Sequence, residues 1–173
     1  TLLYVIGTLL APDEGKLYID GREVSRMSNS EMTRLRGTEI GFIFQDSNLV
    51  QALTLRENLE FVQGLYSKKD SEEIGRVLEA LGLSDRADFL PHQLSGGQRR
   101  RAMIASALIH QPKLILADEP TNDLDDKWSQ QTIDLLKEAC KNGAAVIMVT
   151  HNSIWAKQAI RRYSLDAGKL SEI

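Results

Sequence analysis

Leu94-Ser95-Gly96-Gly97-Gln98, and a little further on Leu114-Ile115-Leu116-Ala117 running into Asp118-Glu119, decide the fold of this chain. The first stretch pairs Ser95 with Gln98, the reciprocal arrangement that opens a helix. Capping alone does not call for two glycines between them. Glycines let another group approach the backbone, so the Gly96 and Gly97 amides and the Ser95 hydroxyl are suited to surround a phosphate at the positive end of the helix. The second stretch is a short apolar run, the pattern of a strand buried on both faces, and it ends in adjacent acids. Doubly wound folds place ligands beyond the carboxyl ends of their strands. There Asp118 suits a hard cation such as Mg²⁺, and Glu119 suits general-base work on a water. Taken alone, Asp118-Glu119-Pro120-Thr121 would also read as solvated acids in a loop.

The pattern around these stretches alternates strands with helices. Leu2 to Leu10 reads as a helix already under way with no cap before it. Pro12-Asp13-Glu14-Gly15 is a turn cluster, and Lys16 to Val24 reads as short strands about Asp20-Gly21. A short helix is expected over Ser30 to Arg36, and a strand buried on both faces over Ile40 to Phe44, leading into Gln45. Thr54 with Glu57 forms a capping box, and Leu55, Leu59, Val62 and Tyr66 keep the helical period. Asp70 with Glu73 repeats the device before Ile74, Val77, Leu78 and Leu81, with Gly82 as the stop. The helix opened by Ser95 is expected to run to about Ile109. A further helix covers about Asp126 to Cys140, Ala144 to Val149 is an apolar strand ending at Thr150-His151, and a last helix covers about Asn152 to Ile160. Strands alternating with helices predict an α/β fold with a parallel sheet covered on both faces. The helical block from about 54 to 93 breaks that alternation and reads as an inserted helical subdomain leading into 94–98.

The chain has 173 residues, 42% hydrophobic and 26% charged, values of an ordinary globular chain with a sizeable core. A net charge of −3 offers no global basic field for nucleic acid or an anionic membrane. Arg99-Arg100-Arg101 is the one dense basic run, and short runs of this kind usually form a solvated helix face. The single cysteine, Cys140, rules out a disulfide framework, fits a reducing compartment, and sits in an apolar helical stripe that reads as core. The sequence shows neither a signal peptide nor a bilayer-length apolar run, and it reads as cytosolic.

Three further side chains fall where chemistry would need them. Gln45 follows a buried strand and could offer its amide oxygen to a metal or an attacking water, although such a glutamine is usually only a polar edge. His151 also follows an apolar strand. A lone histidine there is more often structural, but its imidazole could instead bond a terminal phosphate. Asp125 ends Thr121-Asn122-Asp123-Leu124-Asp125 and reads equally well as the cap of the next helix. His92 and His110 show no partner pattern and read as structural.

In this order the elements resemble the nucleotide-binding domain of ATP-binding-cassette (ABC) transporters. The resemblance covers the opening helix, Phe44-Gln45, the helical block, Leu94 to Gln98, Leu114 to Glu119, the loop ending at Asp125, and His151. Ile40 to Gln45 and Leu53 to Asn58 resemble the group that serves lipoprotein release, macrolide export and cell division. The resemblance implies a P-loop NTPase-like fold and an ATPase using ATP and Mg²⁺. It implies Glu119 and His151 as catalytic residues, and Thr1, Gln45, Ser95, Gly96, Gly97, Gln98, Asp125 and His151 on ATP. Asp118 and Gln45 would then face the metal. It also implies a head-to-tail dimer with a second such domain, each ATP held between one subunit's phosphate loop and the partner's Ser95-Gly96-Gly97. Transmembrane permease subunits would carry the motion and hold the chain at the inner face of the membrane. No nucleic-acid partner is implied.

Two departures stand out. Members of the family usually continue the signature helix with Ala-Arg-Ala-Leu, whereas here Ser106 stands in Ala105-Ser106-Ala107-Leu108. No G-x-x-x-x-G-K-[ST] phosphate loop occurs anywhere in the chain. Thr1-Leu2-Leu3 resembles what directly follows that loop, so the chain reads as a fragment of a longer domain. Such a piece is expected neither to bind ATP tightly nor to hydrolyse it. Without a central strand, the faces of Leu114 to Ala117 and Ala144 to Val149 are expected to be uncovered. The alternatives are a degenerate ABC-like protein that binds or regulates without hydrolysis, and a soluble ABC ATPase of the translation-factor kind, suggested by Asp118 to Asn122. The coding sequence just upstream of Thr1 separates the fragment from the degenerate protein.

Overall fold

The computed structural model describes residues 1–65 and 70–173. In chain order it opens with α1 (Leu2–Ile6), a hairpin of β1 (Tyr18–Ile19) and β2 (Arg22–Glu23), and α2 (Asn29–Glu39). There follow β3 (Ile40–Ile43), α3 (Leu55–Gly64), α4 (Ser71–Ala80), α5 (Gly96–Leu108) and β4 (Leu114–Asp118). The chain continues through α6 (Asp126–Lys141), β5 (Ala145–Val149), α7 (Ser153–Ala156) and a hairpin of β6 (Tyr163–Asp166) with β7 (Lys169–Glu172).

The sheet that organises the molecule is parallel, in the order β3-β4-β5. Its register sets Ile43 beside Ala117 and Asp118 beside Val149, so the three strands end together. The central strand β4 is buried on both faces. Leu114 and Leu116 join Leu3 of α1 and Leu35 of α2 in one apolar cluster. Ile115 and Ala117 point the other way, into a larger cluster with Ile104 and Ala105 of α5, Leu59 of α3 and Leu78 of α4. The expected uncovering of Leu114 to Ala117 therefore does not occur, because helices close both sides of β4. At β5 it occurs on one face only. Val146 and Met148 pack against the larger cluster, while Ala145, Ile147 and Val149 are exposed.

Local chemistry sets the element ends. Thr54 and Glu57 form the expected reciprocal cap, as do Ser95 and Gln98. Ser28 and Glu31 form another, which starts α2 and escaped the sequence reading. Asp70 caps α4 by accepting from the Glu72 and Glu73 amides, but Glu73 does not return the bond; its carboxylate pairs with Arg76 instead. Gly82 sits at φ +61°, and the Leu83 amide reaches back to the Leu78 carbonyl at 2.8 Å, closing α4 in the left-handed manner expected. Asp20 and Gly21 both take positive φ, the requirement of the tight hairpin turn between β1 and β2. Tyr66 lies outside the described residues.

Several expectations fail. α1 stops at Ile6, since Gly7 caps it and packs so tightly on Phe42 that a Cβ would lie 2.0 Å from the ring. α7 is a single turn ending at Ala156, short of Ile160. The β6–β7 hairpin was missed; Ala167 and Gly168, both at positive φ, form its turn. Cys140 is exposed, because the buried stripe of α6 runs through Ser129, Thr132, Ile133 and Leu136 and then drifts to Ala139.

Two glycines separate packing from propensity. A Cβ on Gly41 would lie 2.3 Å from the backbone oxygen of Ala107, which cannot step aside, whereas Gly75 faces open space on the exposed side of α4. Gly41→Ala is expected to destabilise the chain by about 1–3 kcal/mol, and Gly75→Ala to stabilise it by about 1 kcal/mol. Urea midpoints that move in the same direction for both would contradict this packing.

His110 gives the fold a pH dependence. Its Nε2 lies 3.2 Å from the Ile40 carbonyl oxygen, which only accepts, so Nε2 carries the proton. Nδ1 is buried with no partner among the described residues. Burial pushes the imidazole below its ordinary value, against the opposing pull of the Ile40 bond. With the folded pKa below the unfolded one, this contribution to stability is complete above about pH 6.5 and is lost as pH falls through the folded value. Native chain and His110→Gln should therefore diverge between about pH 7.5 and 5.5, the native chain losing more stability. A difference in denaturation midpoint that is constant across that range would exclude His110 as the cause.

Candidate functional site

The aligned carboxyl ends of β3, β4 and β5 gather the expected chemistry at one edge. Gln45, Asp118, Glu119, Asn122, His151 and Asn152 line a cleft of about 480 Å³ there. A hollow of similar size on α2, lined by Asn29, Ser30, Thr33 and Arg34, has no acid and no strand end, so it lacks the means for the same chemistry.

Glu119 is the most constrained group in the cleft. It is 8% exposed and held at φ +46°, a left-handed conformation that costs an ordinary residue about 1–3 kcal/mol. Its amide continues the sheet ladder by donating to the Val149 carbonyl at 2.9 Å. Its carboxylate turns to the end of β5. Oε2 accepts from the Thr150 hydroxyl at 2.9 Å, and Oε1 accepts from the His151 amide at 2.6 Å. A carboxylate has about four acceptor positions, so both oxygens keep room to accept from a water. The His151 ring stands in solvent, with Nε2 3.9 Å from Glu119 Oε1. Thr150 and the His151 amide thus act on Glu119 directly, a role the sequence reading did not assign.

Asp118 is half-buried at the strand end and Gln45 is exposed beside it. Among the described residues no group of three or more His, Cys, Asp or Glu side chains could hold a metal by itself. A carboxylate, an amide oxygen and open space instead fit Mg²⁺, which keeps waters and phosphate oxygens and needs only one or two protein carboxylates.

The remaining predicted residues lie elsewhere. Ser95 Oγ accepts from the Gln98 amide at 3.2 Å, and Gln98 Oε1 accepts from the Ser95 amide at 2.8 Å, which leaves the Ser95 hydroxyl proton for a ligand. Gly96 faces open space, so its own chain does not require a glycine there. Gly97 does pack closely, since a Cβ would meet the Asp123 carbonyl oxygen at 3.0 Å. Asp125 caps α6, its Oδ1 accepting from the Trp128 amide at 2.9 Å. Thr1 precedes α1 without a side-chain cap. None of Thr1, Ser95, Gly96, Gly97, Gln98 and Asp125 lines the cleft of Asp118 and Glu119.

The basic run is not a solvated face. Arg100 is 3% exposed and Arg101 is buried as well. Arg101 stacks over Trp128 at 3.9 Å and donates to the carbonyls of Leu81 and Gly82, tying the end of α4 to the start of α6. Arg99 donates to the Leu94 carbonyl at 2.8 Å. Arg100 reaches the carboxyl ends of the strands. Burial pushes its guanidinium below its ordinary value, opposed by the charges of Asp123, Asp118 and Glu119. The periodicity of a thirteen-residue helix hid this, because α5 is covered on nearly every side and long side chains there must find partners.

An acid pair at a parallel strand end, a glutamine and histidine beside it, and a glycine-bearing helix start define a nucleotide-handling α/β domain. Residues 1–122 match the ABC transporter family, and the chain belongs to that family as an ATP-binding domain. An uncharacterized ABC transporter ATP-binding protein of Thermotoga maritima is 42% identical over 88% of this chain, which spans 66% of that relative's length. The lipoprotein-releasing system ATP-binding protein LolD of Aquifex aeolicus is 37% identical, covering 98% of this chain and 77% of its own. Among solved structures, the dimeric bacterial ABC transporter cassette MJ0796 superposes with a TM-score of 0.92 at 34% identity, covering 99% of this chain and 78% of the cassette. Its post-hydrolysis dimer bound to ADP and Pi gives 0.88 at 36% identity, with the same coverage. Among the described residues no helix is long and apolar enough to cross a membrane.

Proposed function

We propose that this chain is the catalytic half of an ATP-driven transporter motor, hydrolysing ATP at a site completed by a second copy. The observation that carries this reading is the division of the site residues. Gln45, Asp118, Glu119 and His151 share one cleft, while Ser95, Gly96, Gly97 and Gln98 form an outward-facing helix start beyond it. A helix start open at Gly96 is suited to a phosphate arriving from outside the chain. The related MJ0796 cassette being a dimer supports the same division.

Within the cleft, Glu119 accepts a hydrogen bond from the attacking water and draws its proton as the water oxygen bonds to the γ-phosphorus. The bond to the ADP oxygen breaks on the opposite side. Thr150 and the His151 amide hold the carboxylate in place for this task. Gln45 orients the water or the metal. The exposed His151 ring contacts the γ-phosphate, and Asp125 reaches the dimer interface while capping α6. Asp118 with Gln45 would hold Mg²⁺, which when bound neutralises charge on the transferred phosphoryl group. The block from about 54 to 93 acts as the helical subdomain, and with Gln45 it passes closure to transmembrane permease subunits. Those subunits select the cargo and hold the chain at the cytoplasmic face. The likeness to LolD favours a permease of the lipoprotein-release and macrolide-export kind.

The first test uses the chain joined in frame behind a glycine-rich phosphate loop ending in Gly-Lys-Ser. Glu119→Gln in that cassette should lower kcat by about 10²–10⁴-fold while ATP still binds, and should accumulate a nucleotide-bound dimer. Near-normal turnover would remove Glu119 from the role of base.

The second test addresses the shared site. With the exposed Cys140 replaced by alanine in the same completed cassette, cysteines placed at Thr1 and Gly96 should crosslink between subunits when Mg-ATP is present. Crosslinks confined within one subunit, or none at all, would contradict a head-to-tail arrangement.

A further inference from the structure

From the hydrogen bonds of Arg100 we infer that this buried residue of the signature helix is a positioning residue for hydrolysis, holding Glu119 and the start of the Gln45 loop at a fixed distance from Ser95-Gly96-Gly97. This inference rests on the proposed ATPase reading. A guanidinium has five N–H donors in one plane, and here each has a backbone carbonyl to serve. Nη1 donates to Phe44 at 2.5 Å and Gln45 at 3.2 Å, just past β3. Nη2 donates to Asp118 at 2.7 Å and to Glu119, and Nε donates to Pro120 at 3.4 Å, at and just past the end of β4.

The five acceptors are the backbone on both sides of the cleft. The Glu119 carbonyl, in the strained residue of the site, also accepts from the Asn122 amide at 3.1 Å. Arg100 thereby fixes the peptide whose side chain handles the water. It does so from α5, whose N-terminus five residues earlier carries the Ser95 cap. Its charge faces the Asp118, Glu119 and Asp123 carboxylates rather than a single ion-pair partner. A shift of the helix that binds one phosphate group is therefore transmitted to the base that acts on another. Lysine is a poor substitute, since its ammonium has three donors and no plane, and glutamine supplies two.

The test has two arms, each on Arg100→Lys and Arg100→Gln. Amide exchange on the 173-residue chain should rise about tenfold at Glu119, Asn122 and His151. The Leu83 amide, held by Leu78 at the end of α4, should not change. In the cassette completed with a phosphate loop, kcat should fall about ten- to hundredfold while KM for ATP stays within about twofold. Arg100→Lys should retain more activity than Arg100→Gln. Unchanged exchange at Glu119 and Asn122, or exchange that rises equally at Leu83, would overturn the inference, as would full kcat in both variants. If the completed cassette with Arg100 intact hydrolyses no ATP, the ATPase reading fails, and the exchange arm still decides whether Arg100 holds the two strand ends.

Discussion

The parallel register of β3, β4 and β5 is the constraint from which the rest of the molecule follows. Antiparallel neighbours would send alternate strand ends to opposite edges. Here Ile43, Ala117 and Met148 lie in one row across the sheet, so whatever follows each strand emerges on the same side. Gln45, Asp118-Glu119 and Thr150-His151 are far apart in sequence and meet only because of that row. A parallel sheet must be covered on both faces, and α1 and α2 on one side with α3, α4 and α5 on the other do this for β4. The site is therefore fixed to the best-buried strand of the fold, where an acid held at positive φ is most firmly constrained.

That same register creates a problem that Arg100 solves. Strand ends present carbonyls with no further ladder partner, and those at and beyond the ends of β3 and β4 lie close to α5, the Glu119 and Pro120 carbonyls buried and the others partly so. Buried carbonyls require donors, and a side chain with five N–H groups in one plane meets the need with a single residue. The charge that comes with it sits near three carboxylates and costs less than it would alone. Structural need and chemical need coincide at this point, since the carbonyls that require satisfying belong to the residues that shape the cleft.

Much of this was legible in the sequence because the signals are local. Ser95 with Gln98 and Thr54 with Glu57 specify helix starts through bonds spanning one turn, and the apolar runs at Ile40, Leu114 and Ala145 specify strands by composition. Gln45, Asp118, Glu119 and His151 were placed at strand ends by adjacency alone, and the register then brought them together. What the sequence concealed depends on contacts between distant segments. Three consecutive arginines look alike in one dimension, yet Arg100 turns to the strand ends and Arg101 to Trp128. Thr150 reads as a strand-end residue until its hydroxyl is seen on Glu119. Cys140 and the length of α7 were misjudged because a helical stripe shows which face would be buried, but not where the neighbouring surface ends.

The division of the site residues between a cleft and a remote helix start has a mechanical consequence. Ser95 and Gly96 are exposed and able to meet a ligand that another molecule presents, whereas Glu119 is nearly enclosed. A domain built this way gains from association only when the helix start and the cleft move as one body. Three ties bind them: the close approach of Gly97 to the Asp123 carbonyl, the Arg101–Trp128 stack, and the five bonds of Arg100. They run from α5 to the end of β4, to the segment between β4 and α6, to the start of α6 and to the start of the Gln45 loop. Rigidity concentrated along that line would let binding energy from the phosphate proposed to bind at Ser95-Gly96-Gly97 reach the cleft instead of dissipating in local rearrangement.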